Sequence, residues 1–324
     1  MVEEVTKATE DWEWFAGRFG EIRSNIERVI QGKTEEIRLA LVTLVAEGHL
    51  LIEDVPGVGK TMLAKAVARS FDCSFRRIQF TPDLLPTDIT GVNVYNQERN
   101  DFEFKPGAIF ANIVLGDEIN RASPKTQSAL LESMEEHQVT VDAVSYQLGV
   151  PFMVVATQNP IEHEGTYPLP EAQLDRFMMR LAIGYPSAEA EAEILATHGT
   201  ASTLDDIGPV TDASGAARMI AVAREVFVAE ALRRYIVDLA ESTRKHPDVY
   251  LGASPRAAIM LLRATRAMAA SDGRDYAIPD DIKALTIPVL AHRLIVSADA
   301  AMSGRDATTV LAEALDEVPI PVKR

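Results

Sequence analysis

The 324-residue chain carries a single cysteine, Cys73. One thiol excludes an internal disulfide framework and a four-thiolate zinc site, and Cys73 reads as a small packing residue. Basic residues are also scarce: 32 Lys and Arg against 48 Asp and Glu leave a net charge of −16. That balance argues against attraction of the whole surface to nucleic acid or an anionic membrane and leaves room only for a local basic loop. No run of about 18 apolar residues occurs, so no transmembrane helix is expected. The start, Met1 to Trp14, is acidic and polar and lacks the basic and apolar regions of a signal peptide, so a cytoplasmic location is the expectation. The six histidines show no metal-ligand spacing, and the densest cluster, Glu162-His163-Glu164, reads as a solvated loop. Neither a Gly-x-Ser-x-Gly nor an Asn-Lys-x-Asp element is present, so guanine selectivity has no support.

What is present is ordinary globular material, 47% hydrophobic and 25% charged, enough for a real core. The length suggests two domains. Residues 11–46 carry two helical patterns: Trp12, Phe15, Phe19, Ile22, Ile26 and Ile30 recur at three- and four-residue spacing, and an apolar block follows at Leu39–Val45. Short apolar runs then alternate with helical stretches such as Lys60–Ser70 and Pro124–Glu136. The runs are His49–Glu53, Phe75–Phe80, Asn112–Gly116, Phe152–Thr157 and Met179–Ile183, which suits a five-stranded parallel sheet buried on both faces in an α/β fold. Two pairs of short runs break this rhythm. Val92–Tyr95 with Phe102–Phe104, and Gln138–Val141 with Ser145–Leu148, read as β-hairpins inserted near 91–105 and 137–149.

After Tyr185-Pro186 the chain turns rich in Ala, Leu, Arg and Glu. Helical patterns recur near 187–198, 213–225, 229–246, 255–272 and 279–292, with Ser254-Pro255 and Pro279-Asp280-Asp281 as helix starts. The reading is an α/β domain over 1–185 and an all-α domain over 186–324.

The sharpest motif is Asp54-Val55-Pro56-Gly57-Val58-Gly59-Lys60-Thr61, between the apolar run Leu50–Ile52 and a helical pattern that begins with Met62 and Leu63. This is the strand–loop–helix context of a phosphate-binding loop. Glycines let successive backbone N–H groups point at phosphate oxygens, and the helix N-terminus adds its dipole. Residues Pro56 to Met62 would cradle the nucleotide, with Lys60 neutralising the β- and γ-phosphates and the Thr61 hydroxyl ligating Mg²⁺. Asp54 stands where the general pattern has glycine. The second motif is Ile113-Val114-Leu115-Gly116-Asp117-Glu118, an apolar strand delivering two carboxylates at its C-terminal end, where ligands sit in open α/β sheets. Asp117 would hold Mg²⁺ and Glu118 would polarise the attacking water; an acidic turn is the alternative.

These segments resemble those of a AAA+ ATPase, and more narrowly the MoxR family. Glu53–Thr61, Gln79–Gly91, Asp117–Ala122, Ala156–Pro160, Leu169–Phe177 and Leu251–Arg256 carry the resemblance, which spans about residues 20–300. In such an enzyme the α/β domain binds ATP and the helical domain forms a lid. The resemblance places Asn159 at the sensor-1 position and Arg256 at the sensor-2 position, touching γ-phosphate. It makes Arg176 the arginine finger reaching a neighbouring subunit's nucleotide, with Arg180 as the rival and a structural ion pair open for either. Gly32 and Ile30 fall in the adenine-side segment, and Tyr95 with the Asn96–Asp101 turn could reach a substrate in a central pore. It further implies Mg²⁺-dependent ATP hydrolysis by a homo-oligomeric, most simply hexameric, ring. The work would mature or activate partner proteins, among them proteins bearing a von Willebrand A-type domain. A motor subunit of a metal chelatase is the nearest alternative, and a DNA helicase or loader the alternative of another class, disfavoured by the acidity.

Overall fold

The computed structural model describes residues 2–160, 165–192 and 203–321. Glu162-His163-Glu164 and the end of the helical pattern at 187–198 lie outside them. The chain enters through α1 (Val2–Glu27) and α2 (Thr34–Val45). Phe15, Phe19, Ile22 and Ile26 make one buried stripe on α1, as their spacing requires. The α/β layer follows: β1 (Leu50–Glu53), α3 (Lys60–Ser70), β2 (Phe75–Gln79), α4 (Pro86–Thr90), β3 (Gly91–Asn96), β4 (Asp101–Pro106), β5 (Ile113–Asp117), α5 (Pro124–Glu136), β6 (Gln138–Val141), β7 (Val144–Gln147), β8 (Met153–Gln158), α6 (Glu171–Leu174) and β9 (Met179–Leu181).

Five strands form one parallel sheet in the order β2-β5-β8-β1-β9. The interior strands β5, β8 and β1 are apolar and buried on both faces, as parallel strands under helices must be. β2 differs because it is an edge strand: of Phe75-Arg76-Arg77-Ile78-Gln79 only Ile78 is buried. Its register sets Arg77 beside Leu115 and Gln79 beside Asp117.

Two antiparallel hairpins leave the layer, β3–β4 and β6–β7. The second turns on Asp142 and Ala143, both at positive φ, as a two-residue turn matched to strand twist needs. Val144 therefore belongs to the strand rather than to the turn assigned from sequence. The hairpins are clipped together: Asn93 donates to the Asp142 carboxylate at 2.8 Å, and Phe104 stacks on Tyr146 with ring centroids 4.0 Å apart.

Beyond β9 the described elements are helical, chiefly Ala213–Glu225, Glu230–Lys245, Pro255–Ser271, Pro279–Leu290 and Ala307–Glu317. One exception was not foreseen: Val249–Leu251 pairs antiparallel with Ile295–Val296 as a short ribbon. The helix starts follow side-chain chemistry, with Asp212, Ser254 and Asp306 each accepting a first-turn backbone N–H. Phe15 and Phe19 of α1, Leu41 of α2, Leu50 of the sheet and Leu261 of the lid share one continuous apolar core. A second core, with Phe80, Ile109, Leu130 and Phe177, fills the other face of the sheet.

Candidate active site

The loop after β1 curls as its glycines permit. Gly57 and Gly59 have φ of +89° and +95°, a region costly for a side chain, and Gly59 is the residue from which α3 starts. Asp54, at the place of the missing glycine, is buried. Its carboxylate accepts the Val55 N–H at 2.8 Å and the Gly184 N–H at 2.5 Å, and so ties the loop to the segment after β9. The Lys60 ammonium donates to the Asp54 carbonyl at 2.6 Å, which folds it back over the loop.

β5 brings up the acids. Asp117 Oδ1 accepts from the Thr157 hydroxyl of β8 at 2.6 Å, and that hydroxyl accepts the Glu118 N–H at 2.9 Å. Asp117 Oδ2 accepts from Arg77 Nη2 and Nε at 2.6 and 3.1 Å. Glu118 sits in a left-handed backbone conformation, φ 57°, which turns it off the strand line. Its Oε2 accepts from Gln79 Nε2 at 2.8 Å and Arg121 Nη1 at 3.0 Å. Gly116 is tight for a reason: a Cβ there would stand 3.3 Å from the Phe80 ring and 3.4 Å from Leu130.

These groups surround a cavity of about 370 Å³, with Lys60 and Thr61 on one wall, Asp117 and Glu118 on another, and Asn159, just past β8, on a third. Pro56, Gly57, Gly59 and Met62 form its lip and also border a second, more apolar cavity of about 510 Å³. Val58, Ile30, Tyr185 and Pro186 line that second space. The pair suits a nucleotide: donors, a cation and a hydroxyl–carboxylate pair on one side of the loop, an apolar slot on the other. Gly32 is not on either wall; a Cβ there would meet Ala190 at 3.3 Å, so it shapes the turn after α1. Arg77, Gln79, Arg121 and Thr157 are site residues that sequence reasoning missed. The alternation Arg77-x-Gln79 at the end of a predicted strand was the one available signal.

Arg176 and Arg256 are not in this cavity. Arg176 Nε lies 3.2 Å from Glu135 Oε2, and Arg256 Nη1 lies 2.8 Å from Glu135 Oε1. Glu135 lies in the last turn of α5, and the carbonyl of its neighbour Met134 meets the His49 ring at 2.9 Å, immediately before β1. Both arginines therefore sit at the N-terminal edge of the sheet, while the phosphate loop sits at the C-terminal edge, about 13 Å away along a four-residue strand. Arg256, read from the sequence as touching γ-phosphate, thus stands away from its own subunit's phosphate loop. The physical cause is a brace built on the buried Arg293. Asp175 accepts from Ser254 Oγ at 3.0 Å and from Arg293 Nε at 2.7 Å, and Arg293 also donates to the Phe177 and Met178 carbonyls. The brace fixes the starts of the Arg176 and Arg256 segments to each other. Arg180 is separate: its Nη1 pairs with Glu53 Oε2 at 3.0 Å within the same chain.

Comparison with known proteins gives the following. Residues 49–179 match the family model described as ATPase family associated with various cellular activities (AAA), and residues 241–314 match the AAA lid domain. The chain is 48% identical to the protein YeaC of Bacillus subtilis (strain 168), over 94% of this chain and 95% of that one. It is 42% identical to the chaperone MoxR1 of Mycobacterium tuberculosis, over 91% and 80%, and 32% identical to the protein MoxR of Paracoccus denitrificans, over 88% and 90%. A crystal structure of a candidate ATPase from Cytophaga hutchinsonii superposes with a TM-score of 0.92 at 38% identity, covering 98% of this chain and 99% of that one.

Proposed function

The chain belongs to the MoxR family of AAA+ ATPases, and from that premise we propose that it hydrolyses Mg²⁺-ATP to remodel, mature or activate partner proteins in the cytoplasm, working as a homo-oligomeric ring. One observation carries the reading: Lys60, Thr61, Asp117, Glu118 and Asn159, from three separate segments, line one cavity beside an apolar slot. The backbone N–H groups of the loop and Lys60 would hold the phosphate chain, and Met62 and Ile30 would border the base. Thr61 and Asp117 would hold Mg²⁺, which supplies further charge neutralisation to the phosphates. Glu118 acts as the base that orients and polarises water, once released from Gln79 and Arg121. Asn159, 7% exposed, contributes a side-chain amide to the same space.

The cations that stabilise the transition state come from a neighbour. Arg176 and Arg256 stand together on the far edge of the sheet and are braced as a unit, so a ring in which that edge meets the next subunit's phosphate loop would deliver both at once. The hairpins supply a surface for the client, with Val92, Val94, Tyr95 and Phe102 exposed. The name chaperone MoxR1 of the relative agrees with a protein client, and the family resemblance points to one bearing a von Willebrand A-type domain.

The test is Glu118→Gln. Turnover should fall by at least about 10²-fold while binding of a fluorescent ATP analogue persists. A variant that hydrolyses ATP at the parent rate overturns the assignment. Light scattering with and without ATP reads the ring, and a hexamer that assembles with nucleotide is the expected result.

A further inference from the structure

A second cavity, of about 520 Å³, lies at the other edge of the sheet, in the seam between the α/β layer and the lid. Glu47 borders it from the end of α2, Glu135 and His137 from the end of α5, Arg224 from helix Ala213–Glu225, and Arg263 and Arg266 from helix Pro255–Ser271. Its charges do not balance. Glu47 is taken by Arg224, whose Nε donates at 2.8 Å, and Glu135 is shared by Arg176 and Arg256. Both carboxylates are thus already compensated. Arg263 and Arg266 have no ion-pair or hydrogen-bond partner among the described residues, and Arg266 Nε is closed off from solvent with no acceptor. The His137 side chain has only ring contacts among the described residues, tilted against His49 with centroids 6.0 Å apart and edge-on to Phe152 at 6.1 Å. Arg263 is exposed and Arg266 half-buried. In a chain of net charge −16, a concave site with two guanidinium groups that no carboxylate of the described residues pairs runs against the general trend.

A charged donor shut away from water with no acceptor is expensive, and an anion is what would satisfy it. We propose that this cavity binds a small phosphate-bearing anion, held by Arg263 and Arg266 and by the His137 ring. The planar guanidinium fork matches phosphate oxygens, and the volume lies within the range of small-molecule sites. A lone phosphate would fill only part of it, so a polyphosphate or phosphate ester fits better. Bound there, the anion would tie the end of α5 to the lid helix Pro255–Ser271. The site lies across the sheet from its own subunit's phosphate loop, on the edge that the proposed ring turns toward a neighbour, so the test is run with every phosphate loop disabled.

The experiment uses the full chain with Lys60→Ala, which disables the phosphate loop, and titrates inorganic phosphate, pyrophosphate and ADP into it by calorimetry. Expected is saturable binding of pyrophosphate, tighter than phosphate, and weakened by at least about tenfold when Arg263→Gln and Arg266→Gln are added. Arg233→Gln, at an exposed site elsewhere, should leave it unchanged. ADP that competes with pyrophosphate identifies the phosphate chain of a nucleotide as the ligand; ADP that does not compete identifies the unesterified anion. Fluorescent ATP binding by the double arginine variant with Lys60 intact reports that the fold survives. Absence of pyrophosphate binding in the Lys60→Ala protein, or binding indifferent to the two arginines, overturns the proposal. So does a double variant that loses ring assembly while keeping pyrophosphate, because the arginines then meet protein instead.

Discussion

Acidification should destabilise this protein through His49. The residue immediately precedes β1 and is 4% exposed. Its Nε2 lies 2.9 Å from the Met134 carbonyl, and its Nδ1 accepts the Val154 N–H at 3.0 Å. Those partners define one neutral tautomer, and a second proton would place two donors face to face in a dry site. Burial pulls the imidazole from 6.5 down to about 4, against the raising effect of the Met134 carbonyl and with help from the positive charges of His137 and Arg256. The unfolded chain takes up its proton below about pH 6.5, while the folded chain holds none until about pH 4. Between those values the unfolded state binds more protons, so stability falls as pH falls. From about pH 7 to about pH 5 the loss is about 2 kcal/mol, approaching about 3 kcal/mol below pH ~4. His292 is also buried and lowered well below 6.5, chiefly by desolvation, and adds a loss of the same sign. Urea unfolding across this range, with the parent and His49→Gln compared, isolates the His49 part, because glutamine offers both a donor and an acceptor and does not titrate. The variant should lose about 2 kcal/mol less than the parent. Parallel curves, or an NMR titration midpoint for His49 near 6.5, would refute the reasoning.

Other outcomes follow from the same geometry. Asp54→Ala leaves the part-buried Gly184 N–H without its acceptor and should cost about 1–3 kcal/mol in urea unfolding. Gly116→Ala must fit a methyl between Phe80 and Leu130, and should cost about 1–2 kcal/mol, with Gly116→Val worse by thermal melting. Arg176→Ala should lower ring turnover by about 10³-fold without weakening ATP binding to its own subunit, whereas Arg180→Ala should keep turnover, because Arg180 is committed to Glu53. A mixed ring of Arg176→Ala and Lys60→Ala subunits should recover activity if the arginine acts across the interface.

What the sequence made legible is local. The phosphate loop depends on one strand, one glycine turn and one helix start, all contiguous, and Asp117-Glu118 depends on a single strand end. The five strands and two hairpins declare themselves by short apolar runs. The partners of the acids do not, because they arrive through sheet order and register. Gln79 reaches Glu118 and Arg77 reaches Asp117 only because β2 pairs with β5, nearly forty positions apart in the chain. Arg256 illustrates the same limit from the other side. Its motif is plain, yet which edge of the sheet it occupies is decided by Ser254, Asp175 and Arg293, residues far apart in sequence that meet in one part-buried brace. The ribbon of Val249–Leu251 with Ile295–Val296 is too short to leave a periodic signal and joins segments separated by two helices.

Lys60, Asp117 and Glu118 of the candidate cavity are all engaged in the structure, and this bears on how the site would work. Lys60 is on the Asp54 carbonyl, Asp117 on Arg77, and Glu118 on Gln79 and Arg121. Binding of Mg²⁺-ATP would have to exchange these contacts rather than add to them. A divalent ion and an arginine would compete for the same Asp117 carboxylate, and the phosphate chain would compete with a carbonyl for Lys60. Two of the displaced groups, Arg77 and Gln79, belong to β2, which is an edge strand held by sheet bonds on one side alone. The chain leaving β2 runs through α4 directly into β3, the strand that carries Tyr95. A change of partner at Glu118 would thus be passed to the segment that leads to the exposed hairpin, one short covalent route between the proposed hydrolytic site and the surface proposed to hold a client.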